Sequence, residues 1–132
     1  MTDEQKYLLL TEINRRTPYG LTVSVTWKGF ELNGLVYKVD VWKEKVIVET
    51  STDLKMRFPL EYVRPYLKRK NQMTPKENIE YQRRIKLIRD YENTLYWCDT
   101  PESLEWLDRN GYDYKGLLDM GLALEHNKLY EP

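Results

Sequence analysis

His126 and Cys98 are the only histidine and the only cysteine in the chain, so they bound most of the chemistry open to it. A structural zinc site needs four converging thiolate or imidazole ligands, and one of each, 28 positions apart, does not supply them. Nucleophilic catalysis needs a cysteine or serine beside a base, but His126 stands in a polar tail after the last apolar segment and reads as an exposed residue. A magnesium site built of carboxylates needs a tight acidic cluster. Asp108, Asp113 and Asp119 fall on separate turns and read as caps and solvated surface. The six glycines stand singly, and Gly116 and Gly121 have neither the spacing nor the strand context of a phosphate loop. A carboxylate pair of the glycosidase kind has 21 acids to choose from and nothing that selects two. The expectation is no catalytic residue, no metal and no cofactor, with an enzyme of unrecognised type kept as the last alternative.

Two other residue classes could do work. Eleven tyrosines and four tryptophans stand against two phenylalanines. Tyr and Trp are amphipathic and suit half-wet positions such as interfaces. Trp27, Phe30, Trp42 and Tyr66 are the candidates to line a protein-binding groove, against the plainer reading that they fill a core and its rim. The second class is basic. Formal charge is zero, from 21 basic and 21 acidic residues, but residues 68–92 carry eight Lys/Arg against four Asp/Glu, and residues 93–132 carry three against eight. Lys68, Arg69, Lys70, Lys76, Arg83, Arg84, Lys86 and Arg89 form the one basic concentration, an alternative site for nucleic acid. A pI near 6.6 argues against a dedicated nucleic-acid domain. The basic middle and acidic tail either complement each other within the fold or each face a partner.

These residues must be positioned by a scaffold, and Leu21 to Leu67 is its centre. Leu21, Val23, Val25 and Trp27 alternate with polar residues, the period of a half-buried strand. Lys28-Gly29 and, more strongly, Asn33-Gly34 are expected turns. Leu35 to Trp42 is expected as the second strand, with Leu35, Tyr37, Val39 and Val41 inward. Val46–Thr50 and Lys55–Phe58 follow as strands. Pro59 to Tyr62 reads as one helical turn, and Val63–Leu67 as a closing edge strand because Pro65 lacks a donor. Five short strands with a helical turn before the last resemble an SH3-like antiparallel β-barrel, which carries no function with it.

Thr2 and Gln5 form a capping box for a first helix whose apolar face is Tyr7, Leu10 and Ile13, closing one end of the barrel. Thr74-Pro75-Lys76-Glu77 starts a second helix, expected to run to about Asn93 on the spacing of Ile79, Tyr81, Ile85, Ile88, Tyr91 and Leu95. Leu95–Cys98 is a strand or a buried connector. Thr100-Pro101 opens another helix, stopped at Asn110-Gly111, and Asp113 is expected to cap a last one through Met120. The fold class is therefore α+β: an N-terminal helix, a five-stranded SH3-like barrel over about 21–67, then two to three short helices. Residues 1–67 and 68–132 are expected to pack as one unit.

Several blocks carry a resemblance. They are Arg16-Thr17-Pro18-Tyr19-Gly20, Val63-Arg64-Pro65-Tyr66-Leu67, Met73-Thr74-Pro75-Lys76-Glu77, Glu105-Trp106-Leu107-Asp108, Tyr112 to Leu118, and Gly121-Leu122-Ala123-Leu124-Glu125. Together they resemble a family of small uncharacterised proteins from gut anaerobic bacteria and their phages. The resemblance brings no activity and no site residue. It implies a phage or mobile-element accessory protein in the bacterial cytoplasm. A single cysteine, an acidic start and no apolar run of the ~20 residues a membrane span needs agree with that compartment. The expected function is non-catalytic binding of a host protein. Nucleic-acid binding through 68–89 is the alternative.

Overall fold

The computed structural model describes residues 1–130. It is an α+β fold with helices α1 (Asp3–Arg16), α2 (Pro75–Gln82) and α3 (Pro101–Arg109). The strands are β1 (Thr22–Trp27), β2 (Phe30–Asp40), β3 (Lys45–Glu49), β4 (Lys55–Pro59), β5 (Val63–Arg69), β6 (Lys86–Arg89), β7 (Leu95–Cys98), β8 (Tyr112–Asp113) and β9 (Leu124–Glu125). A single 3₁₀ turn, Leu60–Tyr62, precedes β5, where Pro59 ends the ladder. All three helices begin with a reciprocal cap at Thr2, Thr74 and Thr100, and Pro75 and Pro101 sit where a missing N–H costs nothing.

The main sheet runs in the order β4-β3-β2-β1-β5-β8, with β9 also on β5, and all pairs are antiparallel except the two that bring β8 and β9 to β5. The hydrogen-bonded path does not return from β4 to its other end, so the sheet is open and not a closed barrel. β5 is no edge strand, because β1, β8 and β9 all pair with it. Val23, Val25, Val36, Val46, Val48, Phe58, Val63 and Leu67 bury one face of the sheet under Leu9, Leu10 and Ile13 of α1. Leu117, Leu122 and Ala123 from the far end of the chain enter the same core.

Two expectations about β2 are corrected by its register. The hairpin turn is Lys28-Gly29, both with positive φ, between the paired Trp27 and Phe30. Asn33-Gly34 therefore lies inside the strand, opposite Ser24 and Val23. That parity turns Leu32, Gly34 and Val36 inward, leaving Leu35 and Tyr37 about half exposed. A bulge between Val36 and Lys38 then resets the alternation, so Val39 again packs on the core.

Two helix expectations are also corrected. The second helix stops at Gln82 instead of Asn93, and the chain turns back as the β6–β7 hairpin. Asp90 makes that turn, its carboxylate accepting from the N–H groups of Glu92 and Thr94, while Asn93 takes φ +68°. Residues 113–120 form no helix. The Asp113 carboxylate accepts from the N–H groups of Lys115, Gly116, Leu117 and Leu118, and the turn closes through Leu122 N–H to Leu117 O.

Gly34 is required by closeness, since a Cβ there would meet Val48 Cγ1 at 2.5 Å and the Glu49 carbonyl oxygen at 2.7 Å. Gly34→Ala should lower unfolding stability by about 1–3 kcal/mol, read from urea midpoints, because backbone has to move. An unchanged midpoint would show that β2 and β3 are not this close.

Candidate interaction surface

The four aromatic candidates do not meet. Trp27 and Phe30 face each other at the β1–β2 turn, where the Trp27 ring stands edge-on to Tyr62 at 4.7 Å. Trp42 lies past the opposite end of β2, about 30 Å of strand away at 3.3 Å per residue, and is fully exposed at 98%. Tyr66 is buried, its hydroxyl donating to Asn33 Oδ1 at 2.8 Å. Trp27 and Tyr66 are explained by these local contacts, Phe30 and Trp42 face solvent, and no groove among the described residues joins the four.

The basic candidates divide. Lys68 lies 3.7 Å from Glu77 and over the Tyr112 ring at 4.4 Å. Arg69 binds both Asp119 and Glu125 at 2.9 Å. Lys70 donates to the Tyr81 hydroxyl at 3.0 Å and lies 3.9 Å from Asp99. Arg84 lies 3.8 Å from Glu102. The acidic tail thus neutralises much of the basic middle inside the fold. Arg83, Lys86 and Arg89 are exposed and carry no carboxylate partner among the described residues, Arg89 donating to Asn93 at 2.7 Å. They sit at the end of α2 and on β6.

Those three cations surround a feature that the expected long helix concealed. β6 and β7 form a two-stranded sheet of their own, joined by ladder to no other strand among the described residues. Leu87 pairs with Trp97 and Arg89 with Leu95, so these four share one face. Leu87, Leu95 and Trp97 are 46%, 52% and 64% exposed. Ile88 and Tyr96 share the other face, and Tyr91 stands free at the tip. The apolar face continues into a cleft of about 350 Å³ lined by Ile79, Gln82, Arg83, Ile85 and Trp97.

The base of this arm is fixed. Tyr81 donates to Asp99 Oδ1 at 2.5 Å, Thr100 Oγ1 donates to the Arg84 carbonyl at 2.6 Å, and Ser103 Oγ donates to Asp99 at 2.9 Å. Beneath it Trp106 stacks on Tyr112 at 5.8 Å and 7°, with Tyr81 tilted against Trp106 at 5.9 Å. Helix α2 therefore delivers the arm from an aromatic cluster of Tyr81, Trp106, Leu107 and Tyr112 that is separate from the sheet core. Sequence spacing named Ile79, Ile85 and Arg83 but placed them on one helix. The uncharged run Leu95–Cys98 was the only signal of the arm.

No group of three or more His, Cys, Asp or Glu side chains that could hold a metal occurs among the described residues. No helix among them is long and apolar enough to cross a membrane. No family model matches the chain, and no curated protein or solved structure matches it.

Burial, then the hydrogen bond each gives to a carboxylate, raises the Tyr81 and Tyr112 hydroxyls above the usual tyrosine range. Burial also pushes Glu77 up, but hydrogen bonds from Tyr112 and Thr74, with the charge of Lys68, hold it low overall. Above about pH 10 the unfolded chain releases phenol protons that the folded chain keeps, so stability should fall as pH rises. Urea midpoints from pH 8 upward should stay level to about pH 10 and then drop, less steeply in Tyr112→Phe. Equal slopes in both proteins would remove Tyr112 from the account.

Proposed function

We propose that this chain is a non-catalytic binding protein that engages another protein through the β6–β7 arm and the cleft at its base. The observation that carries the reading is the shared face of Leu87, Leu95 and Trp97, about half exposed or more and continuous with Ile79 and Ile85. Apolar side chains on a fixed, projecting hairpin suit the anchors of an interface, and Trp97 is the residue type most enriched at hot spots. Arg83 and Arg89 at the rim favour a partner with acidic residues beside its apolar contact. The resemblance noted above extends the proposal to a phage or mobile-element accessory role, with a host protein as partner. The order of β1 to β5 and the helical turn before β5 support an SH3-like ancestry for the sheet, opened and extended by β8 and β9.

Nucleic acid is the second reading, favoured by one observation: exposed Arg83, Lys86 and Arg89 beside Tyr96 and Trp97, a mixture that can hold a single strand by charge and stacking. It is the weaker one, because Lys68, Arg69, Lys70 and Arg84 are paired within the fold.

Affinity capture from host lysate should recover one stoichiometric partner. Trp97→Ala should weaken its binding by about 2 kcal/mol, roughly 30-fold in Kd, while Trp42→Ala leaves it unchanged. Amide exchange of residues 86–98 should slow on binding. A partner held equally by both variants would move the interface off the arm. Retardation of single-stranded DNA or RNA that fades steeply with salt, and with Arg83→Ala, would favour the second reading.

A further inference from the structure

The arm has two free edges, and they differ in kind. Strand edges left open in natural proteins are blunted by charge or proline, because an unpaired ladder recruits other strands. The β6 edge, Lys86-Leu87-Ile88-Arg89, carries two cations in four residues. The β7 edge, Leu95-Tyr96-Trp97-Cys98, carries no charge and no proline. Only one edge is protected.

The backbone groups that β7 offers follow from the hairpin register. Asp90 N–H donates to the Thr94 carbonyl at 3.0 Å, so that pair is hydrogen-bonded. Alternation along an antiparallel ladder makes Ile88/Tyr96 and Lys86/Cys98 hydrogen-bonded pairs as well. Leu95 and Trp97 therefore point their N–H and C=O groups away from β6, with no strand among the described residues to receive them.

We propose that β7 pairs antiparallel with β7 of a second copy of this chain, on a two-fold axis through Tyr96, to form a four-stranded sheet. In that register Leu95 lies opposite Trp97 of the second copy, and the reverse. Each of these two pairs exchanges both hydrogen bonds, which uses all four outward groups. The match is self-complementary, as a two-fold interface requires. It places no like charges face to face, whereas the β6 edge carries two cations in four residues. It also sets Leu95 beside a tryptophan from the other arm, doubling the apolar face of the arm and giving a marginal two-stranded hairpin the further strands it lacks. Two clefts of Ile79, Ile85 and Trp97 then lie on one continuous sheet. The pairing rests on the arm's geometry and not on the protein-partner reading, since Tyr96 lies on the face opposite Trp97.

Light scattering of the chain at about 0.2 mM, a concentration suited to a small interface, should give twice the 16.0 kDa chain mass. Tyr96→Lys sets two ammonium groups across the axis and should return the mass to that of one chain, with unchanged circular dichroism. The Cα atoms of a non-hydrogen-bonded pair lie about 4.5 Å apart, within disulfide reach. Tyr96→Cys in a Cys98→Ser background should therefore oxidise to a covalent dimer in near-complete yield. The same change at Ile88, on the protected strand, should not. A single-chain mass for the unaltered protein, a folded Tyr96→Lys variant that stays dimeric, or equal crosslinking at positions 96 and 88 would each overturn the proposal. If Tyr96→Lys fails to fold, the crosslinking pair decides alone. A single-chain mass for the unaltered protein, with capture of a host protein still found, would remove this pairing and leave the binding reading standing.

Discussion

The two halves of this protein are held in register by one buried guanidinium. Arg16, at the last turn of α1, has a side chain only 2% exposed. It donates from Nη2 to the Tyr112 carbonyl at 2.8 Å and lies 3.4 Å from Asp108. Arg15 holds the same Asp108 through two hydrogen bonds, at 2.8 and 3.3 Å, and pairs with Glu12, which is itself buried. Two arginines and two carboxylates make a neutral group, so its burial is survivable. Desolvation nevertheless lowers the Arg16 pKa despite Asp108. Such clusters add little net stability compared with apolar packing, but removing one member leaves an uncompensated charge in the interior. The consequence here is positional. Leu9 and Ile13 face the sheet core, and one turn later Arg16 fixes β8 and α3. α1 therefore sets where the aromatic cluster sits, and the cluster sets where the arm projects.

The same economy of charge runs through the rest of the chain. A basic segment followed by an acidic one suggests two binding faces when read along the sequence. In three dimensions Arg69 sits between Asp119 and Glu125, and Lys68 between Glu77 and the Tyr112 ring. These contacts span up to 56 residues, and they carry β5 into contact with the C-terminal segment, where β8 and β9 pair with it. Neutral total charge is thus partly a structural property. What is left over from the basic segment is Lys76, Arg83, Lys86 and Arg89, on α2, just past its end and on β6.

Legibility in the sequence followed the range of the interaction responsible. The caps at Thr2, Thr74 and Thr100 act over three residues and were readable, as was the alternation of Val23 and Val25 beneath α1. The parity of β2 was not, because it depends on the partner strand and on a bulge that restores Val39 to the core. Helical spacing between Ile79 and Leu95 was real in the sequence and false in space. Asp90 and Asn93 could have belonged to a helix surface, and only their side-chain and backbone geometry makes them a turn. The partners of Lys68, Arg69 and Lys70 were hidden for the same reason as the Trp106–Tyr112 stack: they are contacts between distant segments, and charge runs do not name their acids.

The arm is therefore the part of the molecule that folding least requires. Its two ends are joined at Tyr81–Asp99 and Arg84–Thr100, and of the segment beyond them Ile85 alone, among the described residues, packs on the aromatic cluster. Ordering the intervening residues costs about 1–2 kcal/mol each in backbone entropy, and an isolated hairpin returns little of it. Leu87, Leu95, Tyr96 and Trp97 recover still less while they face water. A short polar turn between Arg84 and Asp99 would close the same gap at lower cost. A segment that is apolar on both faces, charged on one edge and bare on the other has the composition that the proposed external contact would ask for.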